Sequence, residues 1–128
     1  MNILLADDSR LVRNTFKRYL KMLGYAPNVF EAENGAKTID AWKEHKPDLM
    51  ILDLIMPEPD GEAVLKTVRK TDESCFIAVL SSNFQAPVKI RIMNNGANLF
   101  IEKPLSPEKV KEVMMAFKVF QKKHGLTE

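Results

Sequence analysis

The sequence predicts a single doubly wound α/β domain of (βα)5 form, with a five-stranded parallel sheet and helices on both faces. Short apolar runs alternate with helix-period segments five times along 128 residues, and that alternation implies βαβ units with right-handed crossovers. Most of the runs are continuously apolar rather than alternating, as strands buried on both faces require. Residues able to do chemistry follow directly on the runs, where open α/β sheets bind their ligands.

In chain order, the runs are Ile3–Ala6, Val29–Ala32, Leu49–Leu52, Phe76–Leu80 and Leu99–Ile101. The first helix is expected over Ser9–Leu23, burying Val12, Phe16, Tyr19, Leu20 and Leu23 and stopping at Gly24. Gly35–Lys46 forms the second, with Ile39 and Trp42 inward and Pro47 ending it. Asp60–Lys70 offers Val64, Leu65 and Val68. Pro87–Asn95 offers Val88, Ile92 and Met93, opening on proline and closing before Gly96. Ser106–Lys123 starts with Ser106 as N-cap and buries Val110, Val113, Met114, Phe117 and Phe120. One domain over residues 1–123 and a short tail, 124–128, account for the chain.

Composition narrows the function. With 19 basic against 17 acidic residues the net charge is +2, too even for a protein whose main business is tracking phosphates on nucleic acid. No apolar run is long enough to cross a bilayer. The opening Met1–Asp8 places two acids where a signal peptide would need apolar residues. Cys75 is the sole cysteine, so no internal disulfide forms and a cytoplasmic, reducing location is expected. Nothing near it resembles an activating base. His45 and His124 read as solvent-facing.

The polar residues at the strand ends form one set. Asp7-Asp8 follow the first strand, Asp53 the third, Ser81-Ser82 the fourth, and Glu102-Lys103-Pro104 the fifth. Singly, each has an ordinary explanation: a helix cap, a turn residue, a solvated loop charge. Together they place three carboxylates, a hydroxyl and an ammonium on one rim. Crowded carboxylates repel and hold protons unless a cation sits among them. Hard oxygen donors of this kind suit Mg²⁺, with Mn²⁺ as a substitute. One carboxylate could then attack a phosphoryl group while lysine and hydroxyl hold its oxygens.

These residues resemble a known family. Asp7-Asp8, Asp53-Leu54-Ile55-Met56-Pro57-Glu58-Pro59-Asp60-Gly61, Ser81-Ser82 and Lys103-Pro104 look like the signature of two-component response-regulator receiver domains of the CheY-like, flavodoxin-like type, over roughly residues 2–122. The resemblance implies a phosphorylation-dependent switch: a phosphoacceptor that catalyses only its own phosphotransfer and autodephosphorylation. Asp53 would accept the phosphoryl group. Asp8 would bind Mg²⁺ directly and Asp7 through water, with Asp53 and the Ile55 backbone carbonyl completing the protein ligands. Lys103 would contact the phosphoryl group. Ser81 would swing to hydrogen-bond it, and Phe100 would fill the space Ser81 leaves. Ile55 is apolar where some members carry a polar residue, and Asn83 is the other position able to touch hydrolytic water. The departures bear on phosphoryl lifetime.

The implied partners are a sensor histidine kinase or phosphotransfer protein and a downstream protein reached through the fourth helix, fifth strand and fifth helix, chemotaxis being one setting. On the last helix Lys111, Met115, Lys118, Val119 and Lys122 lie opposite the core stripe. No membrane or direct nucleic-acid contact is expected, and the domain is read as a monomer or weak dimer. It could stand alone or open a longer regulator. Two other classes compete. A Mg²⁺-dependent phosphatase acting on outside substrates would want a second acid where Ile55 stands, and a degenerate receiver used only as a scaffold would have lost one of the polar positions.

Overall fold

Strands built from consecutive apolar residues must be covered on both faces, and the helices supply the cover. The computed structural model describes residues 1–83 and 85–125. Its elements are β1 (Asn2–Ala6), α1 (Arg10–Met22), β2 (Asn28–Ala32), α2 (Gly35–His45), β3 (Leu49–Asp53), α3 (Gly61–Arg69), β4 (Phe76–Ser81), α4 (Ala86–Asn94), β5 (Leu99–Glu102) and α5 (Pro107–Lys123). The sheet is parallel in the order β2-β1-β3-β4-β5. The order reverses beside β1, so the crevice between β1 and β3 at their carboxyl ends is the expected ligand site.

Two apolar layers flank the sheet. Ile3, Leu5, Ile51, Ala78 and Leu80 face Phe16 and Leu20 of α1 and Val110, Val113, Met114 and Phe117 of α5. Leu4, Met50, Leu52, Ile77 and Val79 face Val64, Leu65 and Val68 of α3 and Ile92 of α4. Phe76 meets Phe117 and Phe120 edge-on, with ring centroids 5.8 and 5.3 Å apart, a geometry that adds about 0.5–1.5 kcal/mol per pair beyond area burial. Ser9, Asn34, Asp60 and Ser106 cap α1, α2, α3 and α5, each accepting the backbone N–H of the third residue of its helix, which satisfies donors that have no partner within the helix.

Several inward assignments differ from the periodicity. In α2 the buried residues are Gly35 and Thr38, while Ile39 and Trp42 are only partly covered. Thr38 tolerates burial because its Oγ1 donates to the Asn34 carbonyl at 2.7 Å. Trp42 keeps its ring at the margin, donating Nε1–H to Asp72 Oδ2 at 2.8 Å. On α4 Ile92 is buried and Met93 is exposed. His45 does not simply face solvent: its ring stacks on Phe30 with centroids 3.7 Å apart. His124 lies against Phe120, centroids 4.3 Å apart. The tail residues 126–128 lie outside the described residues. Among the described residues no helix is long and apolar enough to cross a membrane.

Candidate functional site

Parallel register sets the strand ends level. Ala6 pairs with Leu52, so Asp7 and Asp53 emerge side by side. Asp53 pairs with Leu80 and Ser81 with Glu102, which carries Lys103 to the same rim. β3, β4 and β5 each run one residue past the apolar run, so Asp53, Ser81 and Glu102 are strand residues and not loop residues. A side chain fixed by ladder hydrogen bonds is placed more exactly than one on a loop.

Asp7, Asp8 and Asp53 converge until one oxygen of each lies within 4.8 Å of the others. Asp7 and Asp53 are buried, with Asp8 exposed. Lys103 Nζ donates to Asp7 Oδ2 at 3.0 Å and stands 3.4 Å from Asp53 Oδ1. The Asp53 oxygen also accepts the Ile55 N–H at 3.3 Å. Asp7 Oδ1 accepts the Ser9 N–H at 2.9 Å, tying the acid to the start of α1. Lys109 Nζ donates to the carbonyls of Glu102 and Pro104, at 2.7 and 3.0 Å, and braces the segment that carries Lys103.

The electrostatics follow from this crowding. Burial pushes the Asp53 carboxyl up to about 6, and the neighbouring Asp7 charge pushes the same way against the opposing pull of Lys103. Burial alone would lower the Lys103 ammonium, but Asp7 and Asp53 more than offset it and hold its pKa above the ordinary lysine value. One ammonium thus faces three carboxylates. Converging hard oxygens with a surplus of negative charge fit a divalent cation such as Mg²⁺.

Ser81 is buried and satisfied by its own loop: Oγ donates to the Asn83 carbonyl and accepts the Asn83 N–H, both at 3.0 Å. Phe100 is buried among Ile92, Ala97 and Val79, so its ring is inside the core while Ser81 is bonded to Asn83. Ile55 is 68% exposed beside the cluster. Cys75 is buried and its thiol pushed up to about 12 by that burial, with Asp72 adding to the shift. That leaves it inert.

Two supports of the site show their roles only in the packing: Arg13, which the sequence does not single out, and Gly61, which enters there only as part of the signature string. Arg13 of α1 is buried, donates Nη1–H to the Asp7 carbonyl at 2.6 Å and pairs with Glu31 at 2.9 Å. Its partners lie just after β1 and on β2, so no local spacing announces it. Gly61 is the other: a Cβ there would come within 2.1 Å of the Asp53 carbonyl oxygen.

Comparison with known proteins agrees with this geometry. Residues 3–115 match the family model described as the response regulator receiver domain, and the chain belongs to that family. Among curated relatives it is 38% identical over 112 residues to the chemotaxis protein CheY of Bacillus subtilis, covering 88% of this chain and 92% of that one. It is 34% identical to CheY of Thermotoga maritima over the same shares. It also matches response regulator MprA of Mycobacterium avium, 31% identical over 91% of this chain but 50% of that longer protein. A solved signal receiver domain from Vibrio parahaemolyticus superposes with TM-score 0.88 at 26% identity, covering 99% of this chain and 97% of that one. A CheY-like receiver domain protein from Methanospirillum hungatei shares the fold, with TM-score 0.85 and 20% identity over 95% and 97%. Receiver domains work in phosphorylation-based two-component signalling and hold Mg²⁺ at an acidic pocket, and this chain carries the acidic cluster.

Proposed function

We propose that the chain, as a receiver domain over residues 1–123, takes a phosphoryl group on Asp53 from a histidine kinase or phosphotransfer protein and passes the signal on by a change of shape. The observation that supports this most is the convergence of Asp7, Asp8 and Asp53 around Lys103 at the strand carboxyl ends. Asp8 directly, Asp7 through water, Asp53 and the Ile55 carbonyl would hold Mg²⁺. When bound, the cation supplies charge neutralisation at the transferring phosphoryl oxygens. An Asp53 oxygen forms the bond to phosphorus as the donor's imidazole nitrogen or acyl oxygen leaves with the bonding pair. Lys103 is within reach to take up a phosphoryl oxygen. Burial of Asp53 limits water and strengthens each charge interaction there. Ser81 would exchange Asn83 for a phosphoryl oxygen, with Phe100 packing behind it.

A cytoplasmic location and a downstream protein partner go with this reading. Ile90 and Met93 on α4 and Met115 and Val119 on α5 are exposed, and they support docking through α4, β5 and α5. The direct test is intact mass after incubation with acetyl phosphate, with and without Mg²⁺. One phosphoryl group gained only with Mg²⁺ is the expected result; gain of the same amount in chelator would refute the metal assignment.

Phosphoryl lifetime gives a second expectation. Hydrolysis needs a water held in line with the bond, and a positioned polar side chain lowers the entropic part of that barrier. Ile55 offers no donor or acceptor there. Ile55→Asn should speed dephosphorylation about threefold to thirtyfold, equivalent to about 0.7–2 kcal/mol. The measurement is decay of the phosphorylated protein in excess Mg²⁺ after donor removal. Equal or slower decay would assign lifetime control elsewhere, with Asn83 the next candidate.

A further inference from the structure

α4 is thinly anchored. Among the described residues Ile92 is its one buried side chain, and its N-cap, Gln85, makes no side-chain capping bond. Polar contacts hold it near both ends. At the start, Asn83, which exchanges hydrogen bonds with Ser81 Oγ, accepts the Gln85 N–H on its Oδ1 at 3.4 Å. At the far end, Glu62 of α3 accepts from Arg91 Nε at 2.9 Å and from Asn95 Nδ2 at 3.1 Å on the same oxygen, Oε2. Glu62 follows Gly61, whose N–H donates to the Leu54 carbonyl at 2.9 Å and which packs against the Asp53 backbone. Both ends of α4 therefore trace back within a few residues to Asp53 and Ser81.

We infer that the Glu62–Arg91–Asn95 contact is a latch that holds α4 in the arrangement seen here and so opposes the shape change that phosphorylation drives. The inference rests on the phosphoacceptor reading and adds a regulatory residue to it. Glu62 is a positioning residue: it touches neither the acids nor Lys103. The arrangement seen here keeps Ser81 Oγ bonded to Asn83, so the latch favours the unphosphorylated form. Arg91 is well exposed and its pair with Glu62 contributes little to global stability. A small bias is nonetheless enough to shift a two-state switch whose moving helix has one buried anchor. By linkage, releasing α4 makes Ser81 easier to turn toward a phosphoryl group.

The test compares Glu62→Gln, Arg91→Ala and the double variant with the wild-type protein. Each single variant should be phosphorylated by acetyl phosphate and Mg²⁺ about twofold to fivefold faster, equivalent to about 0.4–1 kcal/mol. The double variant should gain no more than the faster single, because one latch is broken either way. Unfolding midpoints in urea should stay close to wild type, which a merely structural role would not predict. Amide exchange of unphosphorylated protein should quicken across α4 and stay unchanged in α3. That arm reads the latch without any phosphoryl chemistry, so it stands even if acetyl phosphate fails to modify Asp53. Unchanged α4 exchange overturns the latch. Fully additive rate gains, or rates that do not move while α4 exchange does, overturn its control of the switch.

Discussion

Asp53→Asn should abolish Mg²⁺-dependent phosphorylation and at the same time make the metal-free protein more stable at neutral pH. Loss of the phosphoryl group follows from removing the one carboxylate that the proposed reaction uses as nucleophile. The gain in stability follows from the charge balance. Asp53 sits buried beside Asp7 with its carboxyl pushed up to about 6 from an ordinary 3.8. A folded-state value above the unfolded one means that the folded protein binds the proton more tightly. The stabilising contribution of the protonated acid is present below about pH 4 and is lost as pH rises to about 6. At 1.36 kcal/mol per pH unit the full gap is worth about 3 kcal/mol. Relaxation around Lys103 and the attraction that asparagine gives up reduce the expected gain to about 1–2 kcal/mol. Urea unfolding in chelator should show the variant ahead by that amount at pH 7.5 and level with wild type near pH 4. Saturating Mg²⁺ should narrow or reverse the difference, since a ligand that binds the folded state stabilises it. A gap that does not change between pH 4 and 7.5 would mean that charge is not its source.

The fold was legible because most strands are unbroken apolar runs and each helix has a stripe, so periodicity identified all ten elements; β2, interrupted by Glu31, was placed by its position between two helical segments. Of the four caps, Ser106 is named from the sequence, and the structure adds Ser9, Asn34 and Asp60. The rim residues Asp7, Asp8, Asp53, Ser81 and Lys103 could be brought together on paper because a parallel sheet aligns strand ends whatever the connecting helices do. Other features resist sequence reading for a shared reason: they depend on pairs far apart in the chain. Arg13 is held through Glu31, and Trp42 turns to the margin through Asp72. His45 gains its place by stacking on Phe30 across a strand. The inward face of α2 departs from its periodicity for a related reason. Its first turn packs so closely on the loop after β3 that a Cβ at Gly35 would lie 1.7 Å from the Pro59 carbonyl oxygen, so the close approach falls at glycine and not at the bulky residues.

Gly61→Ala should be among the most damaging single-methyl changes in the chain, and it should damage the site and the fold together. Gly61 opens α3 directly after the Asp60 cap. A Cβ there would stand 2.1 Å from the Asp53 carbonyl oxygen and 2.6 Å from Leu54 Cα. Both are backbone atoms of the strand end that carries the proposed phosphoacceptor, so no side chain can swing aside. Either α3 withdraws and loses the Gly61 N–H bond to the Leu54 carbonyl, or β3 gives way at Asp53. Forced overpacking of this kind costs about 1–3 kcal/mol, and the strained hydrogen bond adds about 1 kcal/mol. A displacement near 1 Å at Asp53 would misalign it with Asp7 and Lys103, and errors of that size cost catalysis about a hundredfold. Gly24→Ala is the control. Gly24 has φ +86° but nothing within 4 Å of a Cβ, so its penalty is confined to left-handed backbone, about 1–2 kcal/mol, and it lies far from the rim. Urea unfolding should show Gly61→Ala losing more than Gly24→Ala, and acetyl phosphate labelling should slow tenfold or more, up to about a hundredfold, in the first and stay unchanged in the second. If the two variants lose equal stability and label at the wild-type rate, Gly61 serves only as a helix start, and close packing against Asp53 does not set the position of the carboxylate.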